Sequence, residues 1–256
     1  MQFHGRFILN LAQFAALQGG DPKSLVAAST KTYSELSEES CLIDAEAYEA
    51  IIQAALRETG DPLFGLHAGA QMNLQAAGLN LQIAQSAATV KEALDYGCKF
   101  FQLGCQALPM QLHLEKDLYF LTFHPQPLWK ENYSASFQQT LYGFMAFAIR
   151  QYHALTQHQF YPRAIQLSAK RPRTWPELER VLGASIQFQR ERNALVFRES
   201  DLEKKIISQD YELLKILVQH AEAKLEKLPQ LPAFKEKVKQ GLIQLMQPGF
   251  PLQEEM

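Results

Sequence analysis

The sequence predicts an α+β protein: an N-terminal helical subdomain packed with a small mixed or antiparallel sheet covered by helices, then a linker helix. Three features carry that expectation. Over residues 1–108 apolar side chains recur at helical spacing. From Met110 the period drops to two, as it does in a strand with one buried face. After Phe197 the helical period returns, so a sheet ends there and a helix leads away. The folded body is therefore expected over 1–208, with a helical part at 1–108 and a sheet-containing part at 109–200. A linker helix over 209–232 and the start of another helical region at 233–256 follow.

Taken in order, Phe3, Phe7, Leu11, Phe14 and Leu17 form the stripe of a first helix ending at Gly19-Gly20. Asp21-Pro22 offers an N-cap acceptor followed by proline at the first helical position, and Asp61-Pro62 repeats the device straight after Gly60. Between them Asp44 caps a helix whose Ala47, Tyr48, Ile51, Ile52, Ala55 and Leu56 make a broad apolar face, with Glu46 and Glu49 on an exposed one. A short helix over 65–70, a loop around Met72 and a helix over 79–85 come next. Thr89 and Glu92 then have the spacing of a capping box. The helix they open carries Leu94, Cys98, Phe101 and Cys105 on one side. Two turns of separation favour a core role for the two thiols over a disulfide, which needs Cα atoms within about 7 Å.

Met110, Leu112 and Leu114, then Tyr119, Leu121 and Phe123, alternate on either side of a turn at Lys116-Asp117 and define a hairpin. Its second face, with His113 and His124, is half polar and needs a cover or a ligand. Pro125 and Pro127 end the strand, and Tyr133 to Leu155 is a long amphipathic helix. Arg163 to Leu167 is a strand. Thr174 and Glu177 form a possible capping box. Ala184 to Phe188 and Ala194 to Phe197 are strands, and helical spacing resumes at Leu202 and Ile206.

Composition narrows the function by exclusion. A net charge of -2 on 256 residues argues against a strong nucleic-acid binder, whose affinity comes from basic surface. No apolar run reaches the ~20 residues of a membrane span, and Met1 to Gln13 lacks the layout of a secretion signal. Three cysteines, Cys41, Cys98 and Cys105, without metal-ligand spacing fit a cytoplasmic protein. No phosphate loop, dinucleotide fingerprint, nucleophile elbow, zinc-helix motif or C-x-x-C is present, so no cofactor and no metal are expected. His153 and His158, five apart, fall on different sides of a helix and read as solvated rather than as metal ligands. The cluster Arg163, Lys170, Arg171, Arg173, Arg180, Arg190, Arg192 and Arg198 reads as a solvated rim in preference to a phosphate-facing surface, since no aromatic or glycine interleaving accompanies it.

Several stretches then carry a family resemblance. They are Gly60-Asp61-Pro62-Leu63-Phe64-Gly65-Leu66, Ala77-Gly78-Leu79-Asn80 through Ser86, and Thr89-Val90-Lys91-Glu92-Ala93-Leu94. With them goes Arg192-Asn193-Ala194-Leu195-Val196-Phe197, followed by Asp201-Leu202 and Asp210. In this order and spacing they resemble the N-terminal arabinose-binding-like sensor domain of AraC-type bacterial transcription regulators. The resemblance implies a ligand-sensing regulatory domain over 1–208, a linker and dimerisation helix over 209–232, and at 233–256 the first helix of a truncated helix-turn-helix DNA-binding region. It implies as partners a small-molecule effector, a second copy of the chain, and DNA through the C-terminal region.

For the effector, His113, His124, Trp129 and Tyr133, with Phe137 one turn on, are the candidate ligand-binding residues, because a pocket wants apolar lining with a few orienting polar groups. The same side chains would also serve to finish the core between helix and sheet. Leu213, Leu214, Leu217, Val218, Ala221 and Leu225 are the candidate dimer residues, more than one core-facing stripe requires. The reading is a non-enzymatic sensor; the alternatives are an enzyme acting on a small metabolite around His113, His124 and Tyr133, or a structural interaction module.

Overall fold

The computed structural model describes residues 2–38, 40–71, 78–159 and 161–227. The expected loop around Met72, the linker at 228–232 and the helix at 233–256 lie outside the described residues. Residues 1–225 form one body, and 226–256 a second unit.

The first departure from the expected pattern is at Phe3. It lies on a short strand, β1 (Gln2–His4), antiparallel to β2 (Leu42–Asp44), and not on the first helix. The ring stacks on Tyr48 at 3.9 Å, so tertiary packing fixes what three residues could not announce by periodicity. Helix α1 (Gly5–Leu17) buries Ile8, Leu11 and Phe14, whereas Leu17, expected on the same stripe, is 75% exposed at the helix's last residue. Asp21 caps α2 (Pro22–Ala28), accepting from the Lys23 amide. Thr32 and Glu35 form a capping box on α3 (Tyr33–Ser37), a helix the sequence reading missed. Asp44 caps α4 (Ala45–Thr59), which Gly60 ends with φ 65°.

Helix α5 (Phe64–Gln71) follows, opened by Asp61 accepting from the Leu63 amide. Helices α6 (Gly78–Ser86) and α7 (Val90–Phe100) complete the helical part. Thr89 accepts from the Glu92 amide as expected, but the Glu92 carboxylate reaches the Ala88 amide instead of closing the box on Thr89. A 3-10 turn at Phe101–Leu103 breaks α7 before Cys105, whose backbone bridges to Phe3. Cys98 and Cys105 therefore do not share a helix face, although both sit among apolar groups.

The sheet has the order β3-β4-β7-β5-β6, built from β3 (Met110–Glu115), β4 (Leu118–Phe123), β5 (Ala164–Gln166), β6 (Ile186–Gln187) and β7 (Asn193–Arg198). Lys116 and Asp117 take φ of 47° and 66°, the pair of positive values a tight hairpin turn demands. Only β5 and β6 are parallel, because α10 (Trp175–Leu182) crosses over between them. Thr174 makes no cap on α10; Glu177, the other half of the expected box, bonds Arg180 and His67 instead. The inner face of the sheet, with Leu121, Phe123, Ile165, Leu195 and Phe197, shares a core with Leu141, Met145 and Ile149 of α9 (Ser134–Thr156). Helix α8 (Pro127–Asn132) precedes α9, and α11 (Glu199–Leu202) and α12 (Tyr211–Glu226) close the chain's first body. No described helix is long and apolar enough to cross a membrane. The fold is α+β, as expected.

Candidate ligand-binding cleft

The junction between α8 and α9 positions the site. Tyr133 takes φ -131° and ψ 59°, which breaks the helix in two and lets α9 start in a new direction. Trp129, wholly buried, donates from Nε1 to Ser136 Oγ at 2.9 Å, and Ser136 Oγ donates to the Tyr133 carbonyl at 3.1 Å. Glu49 of α4 accepts from the Ser136 amide at 2.7 Å. Glu49 thus braces the start of α9, where a carboxylate meets free helix amides and the positive end of the dipole, rather than sitting on an exposed face.

So held, α8 and α9 turn Lys130, Ser134, Phe137, Gln138, Leu141 and Tyr142 toward the segment after β5, Leu167 to Ala169, and the first residue of β7, Asn193. These residues line an open cleft of about 250 Å³. Asn193 is 4% exposed and its orientation is fixed: Oδ1 accepts from the Ser168 amide at 2.9 Å and from Ser168 Oγ at 3.2 Å. Gln138 Nε2 donates to the Tyr142 hydroxyl at 3.0 Å, and burial raises the Tyr142 phenol, keeping it protonated.

Of the five residues expected to bind ligand, Phe137 lines the cleft. Trp129 lies behind it, edge-on to Phe137 at 5.5 Å, and Tyr133 is half-buried at the junction. His113 and His124 are on the other face of the sheet: His113 stacks on Phe120 at 5.7 Å, and His124 Nε2 pairs with Thr122 Oγ1 at 2.8 Å. The structure does not bring the five together, because residues alternating along β3 and β4 face opposite sides. That outer face has its cover. Arg192 lies 4.1 Å over the Phe120 ring, donates to Glu115 at 2.7 Å and Gln166 at 3.1 Å, and closes a patch of Phe120, Ala194 and Val196. Arg171 stacks on Trp175 at 3.7 Å and Arg180 pairs with Glu177, so three of the eight clustered basic residues have partners within the fold.

Reading the sequence missed Lys130, Ser134, Gln138, Tyr142, Ser168 and Asn193 as site residues. Positions 134, 137, 138, 141 and 142 do share one helix face, a signal present in the spacing. Asn193 and Ser168 meet only through strand pairing. Among the described residues no group of three His, Cys, Asp or Glu is placed to hold a metal. On α12, Leu214 and Ala221 are buried against Ile83 and Phe100, and Leu217, Val218 and Leu225 are half-buried there. Leu213 is 45% exposed and Ile216, not among the expected residues, 62%.

Comparison with known proteins adds the family. Residues 19–206, well over half of the chain, match the family model described as the arabinose-binding domain of AraC transcription regulator, N-terminal. No curated protein sequence matches. Among solved structures, the transcriptional regulator CdpR from Pseudomonas aeruginosa has the same fold, with a TM-score of 0.55 at 17% identity over 90% of this chain and 70% of that one. The chain belongs to the family of N-terminal arabinose-binding domains of AraC transcription regulators.

Proposed function

We propose that this domain is the sensing part of an AraC-type regulator: a small effector enters the cleft between the start of α9 and the β5–β7 edge, and its binding biases how two copies of the chain present their DNA-reading regions. The domain performs no chemistry of its own and works in the cytoplasm. The observation that carries the reading is the cleft, apolar along Phe137, Leu141 and Leu167 and supplied with an oriented side-chain amide at Asn193. A ligand shifts an arrangement only by preferring it. Helix α9, which forms one wall and runs on through the core, is the element on which such a preference would act.

The test is a melting screen against small metabolites with the native chain and with Ser134→Trp, which fills the cleft from its exposed rim. A ligand at about a hundred times its Kd adds about 2.7 kcal/mol to stability, several degrees of Tm. The expected outcome is at least one compound that raises the native Tm and leaves Ser134→Trp unmoved. A screen in which no compound does so, or in which both proteins respond equally, removes the effector role of the cleft.

A further inference from the structure

We propose that the side of α9 toward α6 and α7 holds a second small-molecule site, built on Gln151 and suited to a neutral molecule with an amide-like edge, one N–H beside one carbonyl. The site goes beyond the effector cleft and does not depend on it. Gln151 follows Tyr142 by nine residues, which turns it about 180° round the helix from the cleft. Its basis is a buried side-chain amide with nothing to bond.

Gln151 is 6% exposed, and neither Nε2 nor Oε1 has a hydrogen-bond partner among the described residues. Every other buried polar side chain among them makes at least one bond. Gln139, earlier on the same helix, uses both ends of its amide, accepting from the Gly65 amide and donating to the Pro62 carbonyl. An unpaired buried amide bears the desolvation cost of donor and acceptor alike, so its retention points to a partner from outside the chain.

Room for that partner comes from the neighbours. Phe144, Ala148, Gln151 and Leu155 recur at helical spacing on one side of α9. At one end Phe144 meets Phe101, just after α7, edge-on at 4.9 Å, with Phe7 stacked on it at 6.1 Å. At the other end Leu155 is buried in a cluster with Ala87 and Ala93, against which Ala84 packs. Midway between Ala93 and Phe101 on α7 is Gly97, and nothing lies within 4 Å of where its Cβ would stand. On α6, one turn before Ala84, Asn80 Nδ2 donates to the Phe100 carbonyl at 3.3 Å, while its buried Oδ1 has no partner among the described residues. Phe7, Phe101 and Phe144 pack against the main core yet are only half-buried. Small residues on α6 and α7 thus face three rings and a bare amide.

The ligand class follows from that wall. A side-chain amide is met at both atoms at once by a partner carrying a donor and an acceptor side by side. The α9 stripe carries no charge, so an ion would lie there without a counter-charge. Water would pair with the amide and leave the rings uncovered, whereas a compact apolar body behind the polar edge covers both.

The experiment has two parts, both on the full chain. In denaturant unfolding without ligand, Gln151→Met, similar in length and helix propensity, should leave the midpoint unchanged or raise it, because it removes an unpaired amide. A lowered midpoint means that the amide is bonded within the protein and overturns the proposal. In melting scans, benzamide or 2-piperidone at up to about 20 mM should raise the native Tm. Acetophenone and cyclohexanone keep the carbonyl and the shape but lack the N–H, and should bind about tenfold more weakly, the worth of one hydrogen bond. The amide response should vanish in Gln151→Met and in Gly97→Leu, which fills the gap, and persist in Ser134→Trp. Ketones that match the amides, an amide response that survives Gln151→Met, or silence of every probe each overturns the site. A response kept in Gln151→Met and lost in Ser134→Trp assigns the probes to the cleft, so that the effector reading stands while this one ends.

Discussion

His67 holds carboxylates from two distant parts of the chain, Asp61 through Nδ1 at 2.6 Å and Glu177 through Nε2 at 3.1 Å. Two ring nitrogens facing two carboxylates must both donate, which requires the imidazolium. Burial alone would lower the His67 pKa, but the hydrogen bonds it donates to the Asp61 and Glu177 carboxylates outweigh it and hold it above the ordinary value. Glu177 is lowered to about 2, by Arg180 first, with His67 contributing. The sign follows. The raised histidine stabilises the fold below its unfolded pKa and loses that contribution as pH rises through the folded one. The depressed glutamate contributes above its unfolded pKa and loses it only as pH falls toward about 2. The clip between α5 and α10 is thus strongest from about pH 5 to 6. Thermal melts of the native chain and His67→Gln should differ there by about 1 kcal/mol, discounted for partial exposure, and the difference should shrink as the pH is raised through the elevated histidine value; a difference independent of pH would exclude the imidazolium clip. Asp61 was legible in the sequence only as a cap. Its second role depends on a partner, Glu177, 110 positions beyond His67, and no local spacing encodes that. The thiols follow the same logic of environment: burial pushes Cys98 up to about 12 and Cys105 to about 11. Native alkylation near neutral pH should spare both and reach them only on unfolding, as mass mapping of labelled peptides would show.

Helices α5 and α9 touch through glycine. A Cβ on Gly65 would collide with the Gln139 carbonyl, and one on Gly69 with the Gly143 carbonyl, so the two backbones lie closer than side chains allow. Gln139 locks the contact by accepting from the Gly65 amide at 2.7 Å and donating to the Pro62 carbonyl at 2.9 Å. Gly69→Ala should therefore cost about 3 kcal/mol or more in denaturant unfolding, the upper range for overpacking. Gly97 in α7 meets nothing within 4 Å, and Gly97→Ala should stabilise by roughly 0.5–1 kcal/mol. Equal effects at the two sites would mean that the helices can separate without loss. The sequence foretold elements where a pattern runs long enough to repeat: α4, α9, and the hairpin with its turn at Lys116-Asp117. It was silent on β1 and β2, three residues each, and on α3, whose capping box is clear only in retrospect. The cleft divides the same way. Its α9 face was legible as helical spacing, whereas the Ser168–Asn193 wall comes from a sheet order that the chain does not spell out.

At the scale of the whole molecule the unresolved demand is the outer side of α12. Its inner side is satisfied by Ile83 and Phe100 through Leu214 and Ala221, which removes those two from any contact with a partner while the helix stays docked. Outside, Leu213 and Ile216, 45% and 62% exposed, lie about 60° apart around the helix, while Tyr211, 76% exposed at its first residue, points to another side and Ile207 is 61% exposed just before it. Apolar side chains grouped on one helix call for a partner in a way that scattered ones do not, and a second copy of α12 would meet the same residues across a two-fold axis. The proposed dimer should then weaken at least about tenfold in Ile216→Glu, since a buried unpaired carboxylate at a two-fold contact appears twice. Leu214→Glu gives the control from the inner side: it should lower the melting temperature, whereas Ile216→Glu should leave it within a degree or two once the proteins are compared as monomers. Sedimentation across a concentration series reads both. A native chain that stays monomeric at about 100 μM, or a dimer that Ile216→Glu leaves intact, would move the partner surface off α12, while the effector cleft on α9 would stand or fall by its own test.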